Sequence, residues 1–309
     1  MSTVCVVPSI RPESLLAFKE KWESHFRWHS VRLIVVLDGD RPRLEVDGKD
    51  EGFADQYVDE SDRDLFCSRS DACRCFGFWF AAKYLDPTTV LTFDDDLYPR
   101  DGDDPIAAHL SVLHKPASLS WMNTGHGDCP VFRGHPYAVR AEATVQLSHG
   151  VWTGVGDFDG PTQLSLTPKA ISDPVGYADL NFFEGVIPRG VLAPISGMSL
   201  AFTREAAPFV YYAKQGPSTP FDRFADIWMG VSLKREFDRR NWAVYTGKSK
   251  VFHSRHSNVF TNLRLESAGL DVNERWWSEG DSVHPYFQDF ADCRTRYAQR
   301  MADFLGVPA

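Results

Sequence analysis

Three consecutive aspartates follow a short apolar segment, and this junction constrains the fold more than any other feature of the sequence. Residues 89–93 (TVLTF) are β-branched or apolar, which predicts a buried strand. Asp94, Asp95 and Asp96 follow at once. Adjacent carboxylates at a strand end repel one another, and a divalent cation such as Mg²⁺ or Mn²⁺, completed by substrate phosphates, would remove the conflict. A solvated acidic loop is the alternative.

The segments before the triplet predict the opening of a parallel nucleotide-binding sheet. They comprise strands at residues 4–8 and 32–37 with a helix over 13–26 between them. Asp38 follows the second strand, where it could accept hydrogen bonds from a ribose or base, or simply form an Asp-Gly turn. Arg74 lies near the start of a helix predicted over 71–84, where it would meet phosphate or ribose unless it forms an ion pair.

The rest of the chain predicts further elements of one α/β domain over residues 1–309. Helices are expected over 104–113, 223–239 and 287–305 (the last peripheral), strands over 118–123, 200–202 and 244–252, and ordered loops over 148–152 and 157–162. We expect a nucleotide-binding half to about residue 123, a sugar and catalytic half over about 124–265, and a helical extension over 266–309.

Composition excludes several classes of protein. The net charge of -9 argues against a nucleic-acid partner, so an anionic substrate would need local positive charge or a metal. No apolar run approaches the roughly 18 residues of a membrane span, and no signal peptide is evident. The six cysteines lack zinc-site spacing, which favours reduced thiols in a cytoplasmic protein. The sequence leaves open whether the protein forms a homo-oligomer.

A loop rich in Gly and Pro carries two arginines seven positions apart, Arg133 and Arg140. Two guanidinium groups on a shaped loop could clamp a phosphate or a sugar. Asp226 falls in the first turn of a predicted helix, where the dipole alone would favour it, or where it could orient a sugar. His253 follows a predicted strand and could approach the aspartates, although a lone histidine is more often structural.

Nine motifs in one order resemble the plant reversibly glycosylated polypeptides, the UDP-arabinopyranose mutases of glycosyltransferase family 75. They are DGD at 38–40, DACRCFGF at 71–78, FDDD at 93–96, FRGHPYAVR at 132–140, SHGVW at 148–152, DFDGPTQ at 157–163, SGMSLAF at 196–202, DIWMG at 226–230 and HSRHSNVFTNL at 253–263. The likeness runs over about residues 4–263, and the chain is interpreted as a bacterial member.

The resemblance implies an α/β fold of GT-A type (Rossmann-like), with a mixed central sheet flanked by helices. It places Mn²⁺ or Mg²⁺ on Asp94 and Asp96, with His253 as a further ligand. It matches Arg133 to the arginine that becomes glycosylated and Arg140 to a second required arginine, and Asp226 is the third catalytic candidate. The candidate substrate-binding residues are Asp38, Arg74, His149, Trp152, Asp159, Gly197 and Met198.

The implied activity is a metal-dependent, flavin-independent mutase that interconverts the pyranose and furanose forms of a nucleotide sugar, UDP-arabinose-like or a GDP-hexose. No GxGxxG fingerprint for flavin or NAD is present, which agrees with a redox-free route. A glycosyltransferase with a separate acceptor is the alternative, and a non-catalytic subunit is disfavoured because the acids and arginines are retained. His135-Pro136-Tyr137 replaces Tyr-Pro-Phe, and the loop at 124–130 is shorter than in plants.

Overall fold

The chain folds around one mixed β-sheet in a computed structural model that describes residues 2–125, 127, 129–165, 182–217, 219–254 and 257–309. The strands are β1 (Thr3–Ser9), β2 (Val31–Leu37), β3 (Arg43–Val46), β4 (Lys49–Phe53), β5 (Thr89–Phe93), β6 (Leu97–Tyr98), β7 (Pro116–Ala117), β8 (Ala143–Gly154), β9 (Gly185–Val186), β10 (Ser199–Thr203) and β11 (Trp242–His253). The helices are α1 (Pro12–Trp28), α2 (Arg74–Phe80), α3 (Pro105–Leu110), α4 (Gly160–Ser165), α5 (Ala225–Arg240), α6 (Val259–Glu279) and α7 (Pro285–Leu305).

The order of the strands brings several carboxyl ends to one edge of the sheet. The main path runs β4-β3-β2-β1-β5-β10-β8-β11-β6. Strand β1 is parallel to β2 and β5, whereas β10 is antiparallel to both β5 and β8, so β8 runs in the same direction as β5. Strand β11 is parallel to β8. The residues that follow β1, β2, β5, β8 and β11 therefore lie along the edge where ligands of open α/β sheets bind.

Side chains that alternate along the strands supply the two apolar faces of the sheet. Val4 and Val6 of β1 pack into the core that contains α2, α5 and α7, while Cys5 and Val7 pack into the core beneath α1 and α3. Trp22 of α1 anchors the second core by stacking on Phe93 at a centroid distance of 4.4 Å. The mixed sheet flanked by helices confirms the expected α/β architecture.

Four predictions of local structure are wrong. The loop predicted over 157–162 ends at Asp159, which caps α4, and residues 160–162 belong to that helix. Residues 148–152 form the middle of β8 rather than a loop, because their side chains are mostly buried between neighbouring strands. Residues 118–123 form no strand, because Glu142 accepts hydrogen bonds from the amides of Leu119 at 2.7 Å and Ser120 at 2.6 Å in place of a strand partner. Helix α7 is not peripheral, since Phe287, Tyr297 and its other apolar residues complete the first core.

The predicted helix over 71–84 is interrupted. It consists of a 3₁₀ turn at Asp71–Cys73, helix α2 and a π-helical turn at Ala81–Leu85. All six cysteines lie within the described residues and are free thiols. Across the described parts of the chain, no helix combines the length and apolarity that crossing a bilayer requires.

Two histidines are buried uncharged within the sheet layers. His109 of α3 contacts β8 and β10, with its Nδ1 2.8 Å from Ser148 Oγ and its Nε2 3.0 Å from Ser199 Oγ. Burial lowers the pKa of His109 to about 3, and the nearby His149 adds to this lowering. Burial likewise lowers the pKa of His149 to about 4. Both rings therefore stay neutral in the folded protein at ordinary pH.

This burial predicts that the protein loses stability as the pH falls from about 6.5, the pKa of an unfolded histidine, towards the folded values. In that range His109 and His149 become protonated in the unfolded chain but stay neutral in the folded protein. Between pH 7 and pH 5, the wild-type protein should lose about 2 kcal/mol more unfolding free energy than His109→Gln, which has no ring to protonate there. Denaturant titrations of both proteins at the two pH values measure the difference, and equal losses would contradict it.

Candidate active site

The carboxylates that follow β5 lie at the sheet edge beside the turn that enters β10. The amide of Asp94 donates to the carbonyl of Met198 at 3.1 Å, which continues the pairing of β5 with β10 beyond Phe93 and Ser199. Gly197 and Met198, both predicted to bind substrate, thus adjoin the acidic triplet. The antiparallel insertion of β10 is what brings these distant segments together.

Arg74 is the fixed centre of this arrangement. Its side chain has no solvent exposure. Nη2 donates to Asp94 Oδ1 at 2.7 Å and also pairs with Asp71, while Nη1 donates to the carbonyl of Gly197 at 2.8 Å and to Thr92 Oγ1 at 3.1 Å. The guanidinium carbon lies 4.7 Å from the centre of the Tyr212 ring. Because protein groups accept the N–H donors of Arg74, its side chain has none left for a ligand. Arg74 therefore supports the site by holding Asp94 in place.

A second arginine holds the other two aspartates. Arg11, just beyond β1, pairs with Asp95 and donates from Nη2 to Asp96 Oδ2 at 3.0 Å. Ser9 Oγ also donates to Asp95 Oδ2 at 2.5 Å. Asp95 is therefore a buried structural acid, whereas Asp94 and Asp96 each keep an oxygen that Arg74 or Arg11 does not occupy.

His253 approaches the triplet as expected from its position after β11. Its Nε2 lies 3.9 Å from Asp96 Oδ1, and its Nδ1 lies 2.9 Å from the carbonyl of Val155. The next residue, Ser254, donates to the carbonyl of Asp96 from its amide at 3.1 Å and from its hydroxyl at 3.0 Å. Residues 255 and 256 of this motif lie outside the described residues.

Asp226 enters the site from the first turn of α5 and receives the amide hydrogen of Gly197 on Oδ2 at 2.8 Å. Burial raises the pKa of Asp226 to about 6; the Gly197 amide and Arg74 oppose the rise, while Asp157 and Asp94 add to it. Asp71 keeps 38% of its side chain exposed, yet enclosure by the surrounding protein raises its pKa to about 7, with Asp94 adding to the rise and Arg74 opposing it. Asp71, Asp94, Asp157 and Asp226 thus oppose one another's ionisation, and together with Asp96 they form what we call the acidic recess.

The residues present fit a divalent cation held by few protein ligands. Within the described ranges, no three His, Cys, Asp or Glu side chains converge as a preformed metal cage. Burial and the charge of Asp94 raise the pKa of Asp96, which His253 and Arg11 partly offset. An added cation would relieve this repulsion, and Mg²⁺ is commonly held by one or two carboxylates with substrate phosphates completing its shell. Asp94 and Asp96 supply that donor chemistry.

Asp38 lies at the same edge but is engaged locally. Its Oδ1 accepts hydrogen bonds from the amides of Gly39 and Arg69, both at 2.8 Å. Burial raises the pKa of Asp38, and these amides oppose that rise. The half-buried carboxylate sits where β2 ends, next to Ser9 at the end of β1, to which its own amide donates at 2.8 Å.

Three other predicted substrate-binding residues have structural partners. His149 is buried in β8 with Nδ1 2.8 Å from Thr246 Oγ1 of β11. Trp152 packs against Phe182 with ring centroids 5.5 Å apart. Asp159 caps α4 by accepting from the amide of Thr162 at 2.8 Å. Among the described residues, none of these three side chains forms a hydrogen bond or an ion pair with the triplet.

The structure does not bring the two-arginine loop into contact with the carboxylates. The loop ends at Ala143, where β8 begins, and this is the sheet edge opposite to the triplet. Arg140 donates from Nη2 to the carbonyl of His135 at 2.9 Å and stacks on Tyr137 at 3.9 Å. Arg133 is exposed, and it has no hydrogen-bond or ion-pair partner among the described residues.

Sequence reasoning missed four charged residues of this recess. They are Arg11, Asp71, Asp157 and Arg223. The rule that ligands gather at the carboxyl ends of strands points to Arg11 after β1 and to Asp157 after β8, as it does to the residues that follow β2, β5 and β11. Nothing in the local sequence around Arg223 marks it for the site.

Comparison with known proteins gives one family. The sequence model described as "Reversibly glycosylated polypeptide" matches residues 2–302. "Probable UDP-arabinopyranose mutase 4" of Arabidopsis thaliana is 32% identical over 302 residues, covering 92% of this chain and 76% of the relative. "Probable UDP-arabinopyranose mutase 1" of Zea mays is 31% identical over 312 residues, covering 94% and 79%. "UDP-arabinopyranose mutase 3" of Arabidopsis thaliana is 31% identical over 303 residues, covering 92% and 76%.

The burial of Arg74 predicts a large stability loss when its charge is removed. In Arg74→Met the acids Asp71 and Asp94 lose their buried counter-charge, so the free energy of unfolding should fall by about 3–5 kcal/mol. The control is Arg32→Met, because Arg32 is 48% exposed and pairs with Asp47 at the surface, where an ion pair contributes about 0–1 kcal/mol. Denaturant unfolding measures both variants, and equal small losses would show that Arg74 is not the support described.

Proposed function

This chain belongs to the reversibly glycosylated polypeptide family, and on that premise we propose that it interconverts the pyranose and furanose forms of a nucleoside-diphosphate sugar. The observation that carries the proposal is the acidic recess at the strand ends, where Arg74 fixes Asp94 and Gly197 beside Asp226. The names of the relatives supply the reaction class and favour UDP-arabinopyranose as substrate. A GDP-hexose is the rival substrate.

Asp94 and Asp96 would hold Mn²⁺ or Mg²⁺, which supplies electrostatic stabilisation to the leaving diphosphate. The geometry supports this because Arg74 and Arg11 fix one oxygen of each carboxylate. C1 then has to bond to the oxygen of a different hydroxyl, and its bond to the old ring oxygen has to break, before the sugar recaptures the nucleotide. Asp226, with a pKa near 6, can take the proton of the attacking hydroxyl and return one to the former ring oxygen.

The direct test is to incubate the protein with Mn²⁺ and UDP-arabinopyranose, and separately with GDP-hexoses. Chromatography of the reaction should show a UDP-arabinose isomer of unchanged mass and no net release of UDP. Release of UDP together with glycosylation of an added acceptor would instead identify a glycosyltransferase. Conversion of a GDP-hexose alone would assign the other nucleotide.

Activity should depend on a divalent metal at Asp94 and Asp96. Asp94→Asn and Asp96→Asn preserve side-chain size but halve the pair's charge, so turnover should fall at least about a hundredfold, the loss expected when one transition-state electrostatic contact is removed. Asp101→Asn is the matched control, since Asp101 is a nearby exposed acid outside the recess. Full turnover in excess EDTA, or in either active-site variant, would contradict metal dependence.

We keep Arg133 as a catalytic candidate with Arg140 because of the family resemblance. The guanidinium of Arg133 is exposed and has no partner among the described residues, and it is available to a sugar only if its loop lies over the site when substrate binds. Arg133→Lys would then lose the planar fork and fail almost as badly as Arg133→Ala, mainly in kcat. Arg27→Ala on α1 is the control, because Arg27 is exposed and pairs with Glu23. Near-normal turnover of Arg133→Ala would remove this residue from the mechanism.

A further inference from the structure

The proposed substrate carries a diphosphate, yet the arginines closest to the acidic triplet are already committed. Arg74 is fully buried, with its fork on Asp94, Asp71 and backbone oxygens. Arg11 gives Nε and Nη2 to Asp95 and Asp96, and its Nη1 is buried without a partner among the described residues, so Arg11 has no donor open to solvent. With an overall charge of -9, an anionic ligand needs local positive charge, and a cationic donor would add to what a metal supplies. A phosphate bound beside these acids would need another guanidinium whose N–H donors are not bonded to protein groups.

Arg223 meets this requirement. Its Nε donates to Glu266 Oε1 at 2.9 Å, while neither Nη1 nor Nη2 has a partner among the described residues. Arg223 keeps 35% of its side chain exposed, whereas Glu266 keeps only 5%. The buried carboxylate therefore fixes the inner side of the guanidinium and leaves its outer donors towards solvent.

Glu266 also ties Arg223 to the loop that follows β8. Its Oε2 accepts the amide hydrogen of Gly160 at 2.7 Å, which joins α6 to the segment that carries Asp157. Arg223 in turn lowers the pKa of Asp157, although burial makes the net shift of that carboxyl upward. Asp157 is linked to Ser196, beside Gly197, through a contact of 3.4 Å. This chain of contacts ends at the groups that Arg74 holds.

The backbone of Arg223 is unusual. Its φ of +66° places a non-glycine residue in the left-handed region. Such a conformation costs on the order of 1 kcal/mol or more and persists where surrounding contacts over-determine it, which is common at ligand sites. Here it turns the chain just before α5 and sets Arg223 three positions before Asp226.

We propose that Arg223 is a substrate-binding residue whose free Nη donors bind the β-phosphate of the nucleotide sugar, with Glu266 holding the guanidinium in place. The assignment rests on the proposed function, because it requires a nucleoside diphosphate in the recess. An arginine fork suits phosphate oxygens, and charge-assisted hydrogen bonds of this kind are stronger than neutral ones.

Calorimetric binding of UDP and UMP, each with Mn²⁺, tests the assignment because only UDP carries the β-phosphate. Arg223→Met should weaken UDP binding by about tenfold or more, the effect expected from lost hydrogen bonds to a charged group, and should leave UMP binding nearly unchanged. Arg223→Lys should be intermediate, since it keeps the charge but loses the bond to Glu266. The matched control is Arg275→Met on the same helix as Glu266, where Arg275 pairs with Asp271 at the surface.

Unchanged UDP affinity in Arg223→Met would overturn the assignment, as would an equal loss for UDP and UMP, which a purely structural role predicts. If Arg223→Met does not fold, Arg223→Lys decides by the same comparison. Wild-type protein that binds neither UDP nor GDP would overturn the nucleotide-sugar function and this assignment with it. Wild-type binding without any isomerisation would leave the phosphate contact supported and the mutase reaction wrong.

Discussion

The ion pair between Arg74 and Asp94 is the interaction on which the rest of the site depends. A buried guanidinium is costly to desolvate, so it persists only where several acceptors surround it. Here those acceptors come from the 3₁₀ turn before α2, from β5 with the aspartate that follows it, and from the turn into β10, three segments far apart in sequence. One side chain thereby fixes Asp94 and Gly197, and Gly197 in turn orients Asp226.

Electrostatics explains why this recess is suited to a cation and an anion together. Asp96 and Asp226 have raised pKa values because burial and neighbouring carboxylates disfavour their charges. A metal would relieve the acids, and a diphosphate bound to that metal would still need donors. Arg223 lies near Asp157 and has donors that Glu266 does not use.

The sequence predicted the edge of the sheet well and the individual partners less well. Apolar runs located β1, β2, β5 and β11, and the parallel-sheet rule then placed Asp38, Asp94 and His253 at one edge. Residues 148–152 were missed as strand because Gly150 and polar side chains interrupt the apolar pattern, although β8 buries both faces. Contacts such as Arg223 with Glu266 span 43 positions and depend on how α6 packs, which no local pattern reports. The roles of Arg133 and Arg140 stay predictions.

The central claim is that the recess at the ends of β1, β2 and β5 binds the nucleotide and its metal. The most direct measurement is a crystal structure with UDP and Mn²⁺, in which anomalous scattering locates the metal independently of the nucleotide. We expect Mn²⁺ to be bound by Asp94, Asp96 and diphosphate oxygens, with the nucleoside within hydrogen-bonding range of the Asp38 edge. A base more than about 10 Å from Asp38, far beyond any hydrogen bond, with Mn²⁺ away from Asp94 and Asp96, would contradict it.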